Sequence, residues 1–237
     1  MSMLTIQAVN CTKELERSDF NSLLDYVSQH KKEKIQKFKR KKDAELCLLA
    51  DILVRAFVIN RLKLDNAQLN FDKNKYGKPY LIGFPSFHYN VSHSGDWVVA
   101  AFDSQPIGID IEKIEPLDLQ IAESICTENE FSYLITQSGP DRLSYFYKLW
   151  TLKESLTKAI GMGLSLPFNS FNICPDDQQN IISYHFKYID WYLKQYDYTH
   201  NYSFAVCSTH NQFPDPLTMT NYQLSEMFLQ VVNNSRE

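Results

Sequence analysis

Between Asp43 and about Leu64 the chain has no glycine or proline, and Leu46, Leu49, Leu53 and Phe57 recur at helical spacing beside a second apolar stripe. That pattern predicts a long, largely buried helix. A second long helix is predicted over about Arg142 to Ile160, with Tyr145, Leu149, Leu152, Leu156 and Ile160 on its core face and Gly161 and Gly163 able to end it in the left-handed conformation. Shorter apolar runs or alternations read as strands over Met3 to Val9, Phe87 to Ser92, Trp97 to Phe102, Ile107 to Ile114, Tyr184 to Leu193 and Tyr202 to Thr209. Ser18 or Asp19 can cap a helix carrying Phe20, Leu23, Leu24 and Val27, and Thr127 with Glu130 fits a capping box. The turn-forming Ser104-Gln105-Pro106 then divides the chain into lobes of residues 1–105 and 106–237. The expected fold is α+β, with two similar lobes in a pseudo-twofold arrangement, each a small antiparallel sheet packed against a long helix.

Composition changes this picture little: 237 residues, 44% hydrophobic and 22% charged, describe an ordinary globular protein. No segment approaches the ~20 apolar residues of a membrane span, and the N-terminus has no signal-like pattern, so a cytoplasmic protein with no membrane partner is expected. The five cysteines never stand as CxxC, which points to reduced core thiols rather than disulfides or a zinc site. Charge is more informative. The net charge is -4, yet Lys31 to Lys42 holds eight Lys or Arg and one Glu, a local +7 that leaves -11 elsewhere. An acidic remainder cannot track a phosphate backbone, which argues against nucleic acid; a solvated helix face or capture of a small phosphorylated molecule remain. Within this run Lys31 and Lys34 share a face away from Ile35 and Phe38.

Two stretches carry candidate chemistry. In the strand Gly108-Ile109-Asp110-Ile111-Glu112 the two acids lie on one side and the two isoleucines on the other. Adjacent carboxylates repel, and on a partly buried face a cation relieves them; oxygen-only ligands with room for phosphates suit magnesium. The plainer alternative is a solvated strand face. In Trp150 to Lys158 the helix places Glu154 and Lys158 one turn apart, a spacing that also makes ordinary surface pairs, but the large Trp150 beside them marks a face that is not simply solvated. Ser92-His93-Ser94-Gly95 lacks a GxSxG elbow, so Ser92 and His93 are better read as donors in a turn beside a phosphate than as a hydrolase nucleophile and base. No histidine has HExxH spacing.

Taken together, Ile107-Gly108-Ile109-Asp110-Ile111-Glu112 and Trp150 to Lys158 resemble the (V/I)G(I/V)DxE strand and W(S/T/C)xKExxxK helix of the 4'-phosphopantetheinyl transferases, the surfactin-synthetase-activating branch in particular. The likeness extends to Tyr76-Gly77-Lys78-Pro79, Phe87 to Gly95, Phe102 to Pro106 and Asp51 to Arg55, most of the chain. It implies two α+β lobes with coenzyme A between them, and transfer of its phosphopantetheine arm to a serine of an apo peptidyl or acyl carrier domain, with a leaning toward nonribosomal peptide carriers. By this resemblance Asp110, Glu112 and Glu154 hold magnesium, Lys158 meets the transferred phosphate, and Lys31, Lys34, Lys78, Ser92 and His93 hold the nucleotide and its phosphates. Relatives commonly carry Arg then Thr near the 3'-phosphate, where this chain has Leu46-Cys47.

The implied roles agree with the residue chemistry. Asp110, Glu112 and Glu154 would hold the ion, Glu154 would take the serine proton, and Lys158 would offset charge on the phosphoryl group. Glu130 is a second base, but its capping-box position is the simpler account. Residues between Ile114 and Ser138 are expected to meet the carrier, and the enzyme is expected to be monomeric. The alternative function is a non-catalytic coenzyme A or nucleotide-binding regulator of the same fold, which would have no use for a positioned base.

Overall fold

A computed structural model describes residues 4–116, 118–174 and 181–234. In chain order the elements are β1 (Thr5–Asn10), α1 (Arg17–Leu24), α2 (Gln29–Gln36), α3 (Lys41–Leu62), β2 (Phe71–Lys73), β3 (Pro79–Leu81), β4 (His88–Ser94), β5 (Trp97–Asp103) and β6 (Ile107–Lys113). There follow α4 (Leu119–Ile125), α5 (Glu128–Thr136), α6 (Gly139–Ile160), β7 (Ile182–Phe186), β8 (Ile189–Tyr196), β9 (Tyr202–Ser208), β10 (Leu217–Thr220) and α7 (Asn221–Asn234). Met3, expected in the first strand, lies outside the described residues.

The two long helices form where the apolar spacing places them, each of 22 residues, and each ends on a left-handed residue: Lys63 at φ 56° after α3, Gly161 at φ 76° after α6. Each covers a four-stranded sheet, β10-β1-β5-β4 in the first lobe and β6-β9-β8-β7 in the second. Alternation in the strands decides what each face meets. Val98, Ala100 and Phe102 of β5 join the core under α3, while Ile6, Ala8, Val99 and Ala101 face Ile107, Ile109, Ile111, Phe204 and Val206 across the lobes. The architecture is thus helix, sheet, sheet, helix, with a continuous apolar layer between the two sheets. Among the described residues no helix is long and apolar enough to cross a membrane.

Several expectations are corrected. The division at residue 105 assigns the chain's end to the second lobe, but β10 pairs in parallel with β1 and α7 buries Leu224, Phe228 and Val232 in the core of the first lobe. The return covers the open edge of β1 and makes the first sheet mixed rather than antiparallel. The run Tyr184 to Leu193 is split into β7 and β8 by a turn at Lys187 and Tyr188, both at positive φ. Helix α1 begins after Glu16 with no side-chain cap, so neither Ser18 nor Asp19 caps it. Four cysteines are buried thiols as expected, but Cys174 is exposed.

One glycine sets the spacing of the second lobe. A Cβ on Gly108 would lie 1.9 Å from the Ser155 carbonyl oxygen and 2.5 Å from the Ala159 nitrogen, both backbone atoms of α6. Helix α6 can lie this close to β6 only because residue 108 has no side chain. Gly108→Ala is expected to destabilise the protein by at least about 3 kcal/mol in denaturant unfolding.

Candidate active site

The site forms where an edge of one sheet meets an edge of the other. Among the described residues the outer edge of β6 has no partner strand, and side chains from alternate positions of β4 serve it instead. Asn90 Oδ1 accepts from the Ile109 N–H at 2.9 Å, Ser94 Oγ accepts from the Lys113 N–H at 3.1 Å, and Ser92 Oγ donates to Asp110 Oδ1 at 2.8 Å. Because strand residues two apart share a face, the spacing of Asn90, Ser92 and Ser94 follows from period-two geometry. The three side chains lock β6 in register with the first lobe and bring its acids to the seam.

Asp110 is 1% exposed, with Lys158 Nζ 2.5 Å from its Oδ1. The same ammonium donates to Ser92 Oγ at 3.2 Å and to the Ile109 carbonyl at 3.4 Å. Burial raises the Asp110 pKa despite the opposing pull of Lys158 and Ser92. Burial tends to lower that of Lys158, but Asp110 and Glu154 outweigh it and hold the lysine protonated. Burial, then the Asp110 charge, pushes Glu112 up to about 7, against the opposing pull of the Ser94 hydroxyl, Lys158 and the Trp150 indole. Glu154 is likewise raised, by burial and by Asp110. Trp150, the large residue that marked this face in the sequence, packs half-buried against the second-lobe core.

The arrangement suits a hard cation in two respects. Asp110 Oδ2 is buried without a hydrogen-bond partner among the described residues, and three carboxylates with raised pKa values face one lysine. Oxygen-only donors of this kind match magnesium. Among the described residues, however, no three acidic, histidine or cysteine side chains converge on one point, and Lys158 shares Asp110 Oδ1 with Ser92.

Two cavities adjoin at Pro79. One, of about 310 Å³, is lined by Tyr76, Asn90, Glu154, Lys158 and Gly161. The other, of about 620 Å³, is lined by Lys31, Lys34, Asp51, Arg55 and Tyr89. Helix α2 begins at Ser28, whose hydroxyl accepts from the Lys31 N–H, so the cap itself sets the phase that puts Lys31 and Lys34 on the cavity. Arg55 is fixed on Asp51 at 2.7 Å and on Asn66 at 3.0 Å, with its guanidinium over Phe71. The charges of both Lys158 and Lys31 reach His93 and, after desolvation, hold its pKa below the ordinary value. Leu46 and Cys47 are both buried in the first-lobe core and offer nothing to a phosphate.

Lys78 also lines the Glu154–Lys158 cavity, with its ammonium engaged by main-chain carbonyls. Its ammonium donates to the Ile107 carbonyl at 3.0 Å and the Ala159 carbonyl at 2.9 Å, while Asn74 donates to the Gly161 carbonyl at 3.0 Å. The loop between β2 and β3 thus caps the C-terminus of α6 from the other lobe, where cations and donors are favoured by the helix dipole. Burial lowers the Lys78 pKa from 10.5 to about 8. Between those values the unfolded chain holds a proton that the folded protein has released, so stability linked to Lys78 rises with pH across that window. Urea unfolding of wild type and Lys78→Met at pH 8 and pH 10 is expected to show their difference moving in favour of wild type.

Sequence reasoning missed Lys153. It is fully buried, 2.7 Å from Glu130, and donates to the Phe168 and Phe171 carbonyls at 2.6 and 2.8 Å. A signal was present, since residue 153 follows Leu149 by four and precedes Leu156 by three on the core face. Glu130 forms the expected capping box with Thr127 and also accepts from the Ile173 N–H at 2.7 Å, which leaves it no role as a base.

The family model of the 4'-phosphopantetheinyl transferase superfamily matches residues 106–207, and that of the N-terminal part of 4'-phosphopantetheinyl transferases matches residues 14–105. The chain is 38% identical to 4'-phosphopantetheinyl transferase Sfp of Bacillus subtilis (strain 168) over 93% of its own length and 99% of that protein's. It is 36% identical to 4'-phosphopantetheinyl transferase gsp of Aneurinibacillus migulanus, over 95% of its own length and 94% of that protein's. Likeness at this level along almost the whole of both proteins, with the acid strand and the Glu154–Lys158 helix in one seam, identifies the chain as a member of the 4'-phosphopantetheinyl transferase superfamily, in its Sfp-type branch.

Proposed function

We propose that this enzyme transfers the 4'-phosphopantetheine arm of coenzyme A to a serine of apo peptidyl or acyl carrier domains, releasing 3',5'-ADP, in a magnesium-dependent reaction. The observation that carries this reading is the adjacency of the Glu154–Lys158 cavity to the Lys31–Lys34 cavity, with the buried, half-satisfied Asp110 at the seam. Lys31 and Lys34, with His93, hold the nucleotide phosphates and leave the pyrophosphate beside Lys158. The carrier serine Oγ bonds to the phosphorus that bears pantetheine as the bridging P–O bond breaks, and the electron pair leaves with 3',5'-ADP. Glu154 accepts the hydroxyl proton, a task favoured by its raised pKa. Lys158 donates to the phosphoryl oxygens, and Ser92 keeps Asp110 oriented. Asp110, Glu112 and Glu154 would hold a magnesium ion, which when bound would supply charge neutralisation for the pyrophosphate.

The exposed side chains of Leu119, Ile121, Tyr133 and Ile135 on α4 and α5 suit the carrier's apolar contact. Calorimetry tests the reading: coenzyme A is expected to bind more tightly with magnesium than without, and Asp110→Asn is expected to remove that difference. Equal magnesium dependence in the variant would contradict the assignment. Lys31→Met/Lys34→Met is expected to raise the KM for coenzyme A about tenfold or more while changing kcat little, because ground-state phosphate contacts are lost.

A further inference from the structure

A larger cavity, of about 740 Å³, lies in the first lobe and shares no residue with the two that flank the site. Its walls are Phe57 and Leu62 of α3, the loop carrying Phe84 and Phe87, and Phe102 near the end of β5. Phe102 stacks on Phe57 at 3.7 Å between centroids and meets Phe87 at 6.2 Å, so the rings form one aromatic wall. In the register of the sheet this cavity sits at the His88↔Asp103 end of the hairpin, whereas Ser92 pairs with Val99 farther along it. Four strand residues at about 3.3 Å each put some 13 Å between the two regions.

Two charged residues line the cavity, and they differ in kind. Asp103 is buried, with Oδ1 accepting from the Ser104 N–H at 2.6 Å and Oδ2 accepting from Ser208 at 3.4 Å, and with His210 Nε2 at 3.7 Å from Oδ2. Arg61, in the last turn of α3, is exposed and makes no ion pair or hydrogen bond among the described residues. An apolar hollow of drug-like size with one unsatisfied guanidinium is the pattern of a small-molecule site, and a guanidinium fork selects planar oxyanions.

We infer that this cavity is a second ligand site, separate from the transfer centre, which takes a compact aromatic carboxylate with its rings against Phe57 and Phe87 and its carboxylate on Arg61. Aromatic bodies fit because the walls are rings that stack or meet edge to face. A monoanion fits because the one free charge is a single cation while Asp103 is already satisfied within the protein.

The full chain, titrated by calorimetry with naphthalene-2-carboxylate, tests this. Saturable one-to-one binding is expected, undiminished by saturating coenzyme A and magnesium. Arg61→Gln is expected to weaken the carboxylate about tenfold while leaving the neutral naphthalene-2-carboxamide unchanged. Ser86→Trp, which fills the hollow from an exposed loop position without altering charge, is expected to abolish binding of both probes. Displacement of the probe by coenzyme A would place it in the transfer site and overturn the inference. So would unchanged affinity in Arg61→Gln and Ser86→Trp, or heats that never saturate.

Discussion

Asp110→Asn is expected to lower phosphopantetheine transfer by at least about a thousandfold while the protein still folds, because it deletes the one fully buried charge at which the site's interactions meet. Asparagine can still accept from Ser92, so the link between β4 and β6 survives. What disappears is the anion that holds Lys158 and leaves one oxygen free. Lys158 keeps some solvent access, at 27% side-chain exposure, so its charge is not stranded when Asp110 is neutralised. The measurement is kcat/KM for loading labelled coenzyme A onto an apo carrier, with thermal melts as a check on folding. A loss of less than tenfold would remove Asp110 from the centre of the mechanism.

The largest expected effect on stability lies at Lys153. Lys153→Met leaves Glu130 as a buried carboxylate whose cation is gone, and breaking one side of a buried pair costs about 3–5 kcal/mol. At about 2–4 °C per kcal/mol for a chain of this size, the melting temperature is expected to fall by roughly 10 °C. Joining Lys153→Met to Glu130→Gln is expected to recover part of the loss, since the remaining group is then neutral, although its one oxygen can accept from only one of the Thr127 and Ile173 N–H groups that the two carboxylate oxygens serve. If the double variant is as unstable as the sum of both single variants, the pair is not the coupled unit described.

Local patterns made the site's main parts legible. Period two in β6 placed Asp110 with Glu112, the helical period put Glu154 with Lys158, and the low glycine content of the long helices exposed their apolar stripes. What stayed hidden depends on distant partners. The chain's return through β10 has no local mark, because a parallel pairing to β1 joins segments about 210 residues apart. The β7–β8 turn was hidden because Lys187 and Tyr188 occupy positions that usually attract Gly or Asn. The resemblance alone gives Lys78 a place at the nucleotide phosphates; only the fold shows the carbonyls of Ile107 and Ala159 brought to its ammonium.

The central claim is that the seam between β4, β6 and α6 transfers phosphopantetheine. Mass spectrometry of apo carrier domains incubated with the protein, coenzyme A and magnesium tests it most directly. The account predicts that the carrier gains the mass of one phosphopantetheine arm on its serine, that 3',5'-ADP appears in equal amount, and that Glu154→Gln and Asp110→Asn yield neither. Carriers that stay unmodified by wild-type protein with demonstrably bound coenzyme A, or that are loaded equally by those variants, would contradict it.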